Sequence, residues 1–291
     1  MEIDVTSYPR SSWRLLINSA YPGARNMAVD ETVLESVGRG DSLPTLRLYA
    51  WEPACISLGY AQSFTDIDPN LLNQSGWDIV RRPTGGRAIL HIDELTYSVI
   101  APHSEARLAG SILESYYRLS LALLAALHML DIPAKASPNS ETKEENHHHP
   151  GNRSSNKLLN PVCFEVPSSY EITALDRKLI GSAQARRKEG ILQHGSLPLY
   201  GDLSRITRVL KFDDEESREK AAARLLRRAT TAESVLGIRI EWEVVAQAFV
   251  KAFQQVLNIN LIEVPLTSTE EIQTNELVRT KYSHQSWIKR I

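Results

Sequence analysis

Between Asp78 and Leu90 the chain passes from one apolar, β-branched segment, Asp78-Ile79-Val80, to another, Ala88-Ile89-Leu90, through Arg81-Arg82-Pro83-Thr84-Gly85-Gly86-Arg87. That order of residues predicts two strands with a turn at Pro83 to Gly86. Glycine permits positive φ and close backbone approach, so amide N–H groups in such a turn can converge on a carboxylate, phosphate or thioester oxygen. Arginine adds planar, permanently charged donors suited to the same oxygens. On the residues alone, a binding loop and a plain Gly-Gly hairpin with solvated arginines stay equally open.

The rest of the chain sets limits around this segment. With 291 residues it can bury a substantial core, as one large domain with a smaller appendage or as two domains. A net charge of −2, with basic residues balanced by acidic ones along the sequence, implies no nucleic-acid partner. Two cysteines far apart form no disulfide framework, which points to a reducing, cytoplasmic compartment. Met1 to Ser12 carries acids and a proline in place of a signal sequence. The longest mostly apolar run, Leu119 to Leu130, is interrupted by His128 and is shorter than the roughly 20 residues that span a bilayer, so no membrane partner is expected. Walker, His-Glu-x-x-His, Cys-x-x-Cys and Gly-x-Gly-x-x-Gly patterns are all missing, which argues against a P-loop kinase or a Rossmann dehydrogenase.

Periodicity predicts a strand at Trp13 to Ile17, a helix at Asn26 to Val37, and a strand pair, Arg47 to Tyr49 with Cys55 to Tyr60, around the Glu52-Pro53 turn. Asp68-Pro69 opens a short helix, with aspartate as cap and proline at the first position. Strands follow at Asp78 to Arg82, Ala88 to His91 and Thr96 to Ala101, then a long helix from Ser111 to Leu130. Residues 136–160 are rich in Asn, Ser, Glu and Lys with almost no apolar residue, and read as a flexible insertion. Its His147-His148-His149 triplet makes at most an adventitious metal site, so no resident metal is expected. A meander of strands at Tyr170 to Ala174, Lys178 to Ala185 and Ile191 to Leu199 closes a first domain, 1–203. Residues 204–291 are mostly helical, with helices at Asp213 to Ala229, Thr231 to Leu236, Trp242 to Leu257 and Glu270 to Arg279. Arg224, Arg227 and Arg228 read as a solvated helix face or as a docking patch for an acidic partner.

A second segment, Asp176-Arg177-Lys178-Leu179-Ile180-Gly181-Ser182-Ala183-Gln184 followed by Gln193-His194-Gly195-Ser196-Leu197, gives the arginine-glycine loop a context. Together the segments resemble the lipoate–protein ligase and octanoyltransferase superfamily, whose catalytic fold is shared with biotin–protein ligases. Asn26-Met27-Ala28-Val29-Asp30-Glu31, the strands around Leu46 to Tyr60, and Lys281-Tyr282 followed by Trp287 extend the resemblance from about Trp13 to Trp287. It implies an α+β fold of mixed β-sheets packed with helices, with a smaller, mostly helical C-terminal region. It also implies that Arg81, Arg82, Thr84, Gly85, Gly86, Arg87 and His91 contact substrate, with Gly181, Ser182, Ala183, His194 and Gly195 from the second segment. Lys178 matches the lysine that holds the acyl carbonyl. His194 and His91 are either general bases or structural hydrogen-bonding histidines.

Which chemistry the superfamily resemblance implies turns on Cys163, in Pro161-Val162-Cys163-Phe164-Glu165. Ligases activate a free fatty acid with ATP and need no nucleophile. Octanoyltransferases accept an acyl group already held as a thioester on acyl carrier protein, and a cysteine that takes it over by thiol exchange conserves the bond energy. Cys163 stands where the branch with a ligase-like scaffold carries its nucleophile; Arg87 and Glu94-Leu95-Thr96-Tyr97-Ser98-Val99 resemble that branch too. An isolated cysteine otherwise reads as a small buried hydrophobe, and Cys55, in the core-strand pattern Ala54-Cys55-Ile56-Ser57-Leu58, has that reading. A reactive Cys163 needs a nearby cation to favour the thiolate, and Lys178 is the candidate. The resemblance thus implies octanoyl transfer from octanoyl acyl carrier protein through Cys163 to a lysine of a lipoyl domain, such as glycine cleavage H protein or a 2-oxoacid dehydrogenase E2, with no cofactor. An ATP- and Mg-dependent lipoate–protein ligase, and a non-catalytic acyl- or biotin-binding protein, remain the alternatives.

Overall fold

The computed structural model describes residues 8–137 and 171–291. Cys163 and nearly all of the expected insertion at 136–160 lie outside the described residues. In chain order the strands are β1 (Ser11–Ile17), β2 (Thr45–Tyr49), β3 (Cys55–Leu58), β4 (Asp78–Arg81), β5 (Ile89–His91), β6 (Glu94–Ala101), β7 (Ala134–Ser137), β8 (Glu171–Ala174), β9 (Arg177–Arg187), β10 (Gly190–Pro198) and β11 (Ile259–Glu263). The helices are α1 (Gly23–Arg39), α2 (Pro69–Gln74), α3 (Ile112–Met129), α4 (Glu215–Arg228), α5 (Ala232–Leu236), α6 (Trp242–Leu257), α7 (Ser268–Leu277) and α8 (Gln285–Ile288).

An eight-stranded mixed sheet, ordered β11-β1-β2-β6-β10-β9-β8-β7, carries the core. The β11-β1-β2 edge is parallel and the remaining pairs are antiparallel, which is the mixed α+β architecture expected. Side chains alternate across it with period two. Val99 and Ile191 face one cluster, which includes Leu119, Leu123 and Leu127 of α3 and Phe249 and Phe253 of α6, whereas the next residues along, Ile100 and Leu192, face Val29, Val33 and Val37 of α1. A second sheet, β4-β3-β5, packs its apolar residues with the Ile206-to-Leu210 segment and α4.

Local sequence accounts for most boundaries. Asp68 accepts hydrogen bonds from the amides of Asn70 and Leu71 with Pro69 at the first helical position, as expected for α2. Ser111 and Glu114 cap each other reciprocally at the start of α3. Leu175 and Asp176, both at positive φ (50° and 57°), make the two-residue turn between β8 and β9.

Two expected pairings are corrected. β2 and β3 do not form a hairpin around Glu52-Pro53: β2 lies between β1 and β6, and β3 between β4 and β5. The connecting residues are tied elsewhere, Trp51 bridging to Tyr21 and the Glu52 amide donating to the Tyr21 carbonyl, so the turn carries the chain from one sheet to the other. Likewise β4 and β5 are not a hairpin, because β3 separates them. The arginine-glycine segment therefore arches past the end of β3.

Residues 204–291 are mostly helical, as expected, and also close the large sheet with β11. A buried pair, Arg14 Nη1 to Glu270 Oε1 at 2.8 Å, fastens α7 to β1. Lys281 Nζ lies 2.6 Å from Glu31 on α1, and Trp287 Nε1 donates to the Arg81 carbonyl at 2.9 Å. These contacts account for the Lys281-Tyr282 and Trp287 matches in structural terms. Phe253 is fully buried and stacks on Phe249 at 6.4 Å, so Phe253→Ala should destabilise the protein by about 3–5 kcal/mol in denaturant-induced unfolding.

Candidate active site between the two sheets

The face of the large sheet that meets the small sheet presents two rows of side chains, because antiparallel partners share a face. One row is Tyr49, Thr96, Ser196 and Gly181; the next is Arg47, Ser98, His194 and Ala183. Facing them stand Ser57 of β3, Ile89 and His91 of β5, and Arg82 beyond β4, with Met27 of α1 at the side. The space between is a narrow cleft whose walls are mainly apolar. Of the residues expected to touch substrate, Arg82, His91, Gly181, Ser182, Ala183, His194 and Gly195 line it.

Charge is buried here under strict pairing. Asp30 and Arg47 are fully buried and joined at 2.7 Å, and Arg47 also donates to the side-chain oxygens of Asn18 and Asn26, each at 2.7 Å. Burial alone would raise the Asp30 carboxyl, but Arg47 and the neighbouring His194 hold it below its ordinary value. Tyr49 and Ser98 donate to its other oxygen at 3.2 and 2.9 Å. Burial and then the Asp30 charge push the Tyr49 hydroxyl well above its usual range.

His194 joins this network to the loop: Nδ1 lies 3.6 Å from Asp30 Oδ2, and Nε2 shares a hydrogen bond with Thr84 Oγ1 at 2.6 Å. Burial lowers its pKa and outweighs the opposing pull of Asp30, so at neutral pH the imidazole is uncharged and its approach to Asp30 is not an ion pair.

A second chain starts at Arg82. Its Nη1 donates to Ser57 Oγ at 3.0 Å, Ser57 Oγ lies 2.7 Å from His91 Nε2, and His91 Nδ1 lies 2.6 Å from Glu94. Thr96 donates to the same Glu94 oxygen at 2.5 Å and accepts from Trp51 Nε1 at 2.7 Å. Trp51 in turn stacks on His91 with centroids 4.0 Å apart. The Ser57-His91-Glu94 spacing is that of a nucleophile, base and carboxylate. The chain of contacts holds His91 and Trp51 in place as cleft walls.

The loop itself is clamped from beneath. Arg82 donates to the carbonyls of Ser57, Gly85 and Arg87 at 2.7, 2.8 and 2.7 Å. Arg81 points the other way and does not line the cleft: it donates to the carbonyls of Gly59, Gln62 and Ile288 at 2.8, 2.6 and 2.7 Å, tying the loop to α8. Thr84 is buried against His194, Gly85 and Gly86 are exposed, Arg87 is half-buried, and Gly86 has φ of 93°. At Gly59 a Cβ would stand 1.9 Å from the Gly86 carbonyl oxygen, so only glycine lets the loop lie this close to β3.

Lys178 is buried near the start of β9, 2.8 Å from Glu171, and is not among the cleft-lining residues. Thr230, just after α4, donates its amide to the Lys178 carbonyl at 3.0 Å. Cys55 is fully buried; burial first, then Asp78 and Glu94, raise its thiol well above the usual value, which fits a structural role. Among the described residues no cluster of histidine, cysteine and carboxylate side chains could hold a metal ion, and no helix is long and apolar enough to cross a membrane.

Sequence reasoning did not single out Asp30, Arg47, Ser57 or Glu94 as site residues. Glu94 three residues after His91, and Asp30 between the core-facing Val29 and Val33, were the available signals.

Two sheets meeting across such a cleft are the architecture of lipoate–protein ligases. The bi-partite lipoate protein ligase of Thermoplasma acidophilum superposes with a TM-score of 0.77 at 24% identity, over 96% of this chain and 97% of that one. Lipoate-protein ligase A bound with ATP gives 0.73 at 25% identity, over 96% and 98%. The family model of the lipoyl protein ligase A/B catalytic domain matches residues 22–254, and the chain belongs to that family. Octanoyltransferase LipM of Moorella thermoacetica is 39% identical over 283 residues, 97% of this chain and 99% of that protein. The same enzyme of Carboxydothermus hydrogenoformans is 35% identical over 280 residues, 96% and 99%.

The depressed His194 pKa carries a sign. The unfolded chain takes up a proton on this residue below about pH 6.5 while the folded one resists it, so its contribution to stability is present above that pH and is lost on acidification. Asp30, also depressed, adds a loss of the same sign below about pH 4, near the ordinary carboxylate range. Urea unfolding at pH 7.5 and 5.5 should show the wild type losing stability on acidification and His194→Gln losing less; equal losses would contradict the assignment.

Proposed function

We propose that this protein is an octanoyltransferase of protein lipoylation that moves an octanoyl group from acyl carrier protein to a lysine of a lipoyl domain through a thioester on Cys163. The observation that carries the proposal is near-full-length similarity to relatives named octanoyltransferase, combined with a narrow, mainly apolar cleft beside the arginine-glycine loop. Each methylene of an acyl chain buried there contributes about 0.8 kcal/mol, so burial discriminates chain length only modestly.

In the first step the Cys163 thiolate attacks the carbonyl carbon of octanoyl acyl carrier protein. A new carbon–sulfur bond forms, the bond to the phosphopantetheine sulfur breaks, and that thiolate leaves and takes up a proton. In the second step the uncharged amine of a lipoyl-domain lysine attacks the Cys163 thioester; the amide forms, the cysteine sulfur leaves, and the amine loses its proton. Lys178 orients the acyl carbonyl and favours the thiolate, and the amides of Gly85 and Gly86 assist. Arg82, His91, Thr84 and His194 position cleft and loop. No ATP, metal or other cofactor enters either step, and the work belongs in the cytoplasm.

A ligase reading has its own support in the likeness to ATP-bound lipoate-protein ligase A. The two separate cleanly in a transfer assay. Octanoyl acyl carrier protein and an apo lipoyl domain should yield octanoylated lipoyl domain without ATP, and Cys163→Ala should yield none. Product only from free octanoate and ATP, with AMP released, would establish a ligase instead.

The carrier has a docking surface in this reading. Arg227 and Arg228 are exposed at the C-terminal end of α4, and the next residue, Ala229, forms a β-bridge with Lys178. A basic helix end beside the reaction centre suits an acidic carrier protein. The double variant Arg227→Glu, Arg228→Glu should lower kcat/KM for octanoyl acyl carrier protein roughly tenfold at low salt and less at high salt, with kcat nearly unchanged.

A further inference from the structure

Every polar side chain lining the cleft but one has a protein partner among the described residues. Ser57 and His91 hold each other, Thr96 holds Trp51 and Glu94, Ser182 shares a hydrogen bond with Tyr97, and His194 holds Thr84. The exception is Ser196. It is 1% exposed, and its Oγ has no hydrogen-bond partner among the described residues. Buried hydroxyls in native proteins are paired as a rule, because desolvation without a partner is unfavourable, and an orphan that lines a cleft calls for a ligand atom.

The strand register says what kind. Ser196 stands opposite Gly181 on β9, where no side chain intervenes. An alkyl chain offers such a hydroxyl nothing, and Met27, Trp51 and Ile89 already supply apolar wall for it. An acyl thioester offers one strong acceptor, its carbonyl oxygen. We propose, resting on the acyl-transfer reading above, that Ser196 Oγ donates a hydrogen bond to the carbonyl oxygen of the bound acyl group. When a nucleophile adds to the carbonyl carbon, the C=O π electrons move onto that oxygen, and the donor, already in place, bonds the developing negative charge more strongly than the neutral carbonyl. No proton is transferred; Ser196 stays a hydroxyl throughout.

The test compares wild type with Ser196→Ala on the full chain, using hexanoyl, octanoyl and decanoyl acyl carrier protein with an apo lipoyl domain. Ser196→Ala should lower kcat on the order of 100-fold, the effect of removing one oxyanion donor, with KM within a few-fold. The loss should be the same for all three chains, because the contact is at the shared carbonyl. The melting temperature should hold or rise, since the variant removes a buried hydroxyl that has no partner among the described residues. A rate within twofold of wild type, a loss that changes with chain length, or a rate that falls together with the melting temperature would each overturn the proposal. A wild type that transfers nothing removes the acyl-transfer reading with it, whereas an active wild type matched by Ser196→Ala removes the Ser196 contact alone.

Discussion

Asp30 and Arg47 form an ion pair with neither side chain exposed, and the surroundings of the cleft depend on it. Two charges taken out of water carry a desolvation penalty of several kcal/mol each, which attraction offsets only when the remaining hydrogen-bonding positions are also filled. Here they are: Asn18 and Asn26 accept from Arg47, while Tyr49 and Ser98 donate to Asp30. The pair ties α1 to β2, and through His194 and Thr84 it reaches the arginine-glycine loop. Removing one partner would leave a buried charge uncompensated, so the network holds α1, the sheet and the loop in one arrangement.

The same logic explains why a loop rich in arginine is rigid at its base. Arg81 and Arg82 are neighbours in sequence and point in opposite directions, one onto carbonyls of the β3 end and of α8, the other onto Ser57 and the loop's own carbonyls. A guanidinium is the side chain that can satisfy several carbonyls at once. With the base fixed by Thr84 and Arg82, Gly85 and Gly86 are left exposed at the turn.

Much of the fold was legible because it is local. The Asp68-Pro69 start, the periodicity of α1, α3 and α6, and the β8-β9-β10 meander are each encoded within a dozen or so residues. Strand pairing is not local. β2 and β3 are five residues apart and in different sheets, and nothing in Trp51-Glu52-Pro53 announces that Tyr21 is their partner. At the site, the residues that motif resemblance grouped, Arg82, His91, Gly181 to Ala183 and His194, line one cleft, and each sits on a short stretch with a distinctive pattern. It could not separate Arg81 from Arg82, because which face a side chain takes at a strand end is set by what packs there from over two hundred residues away. Nor could it find Ser196, which stands out only because its buried hydroxyl has no partner among the described residues.

The central claim is that this family scaffold carries the acyl group covalently between donor and acceptor. Intact-mass analysis of the protein mixed with octanoyl acyl carrier protein, without a lipoyl domain and without ATP, tests it most directly. The account predicts a gain of one octanoyl group, removed by neutral hydroxylamine, mapped to the peptide containing Cys163 and lost in Cys163→Ala but retained in Cys55→Ala. An unmodified mass while a lipoyl domain added in parallel becomes octanoylated, or an adduct that survives in Cys163→Ala, would contradict it.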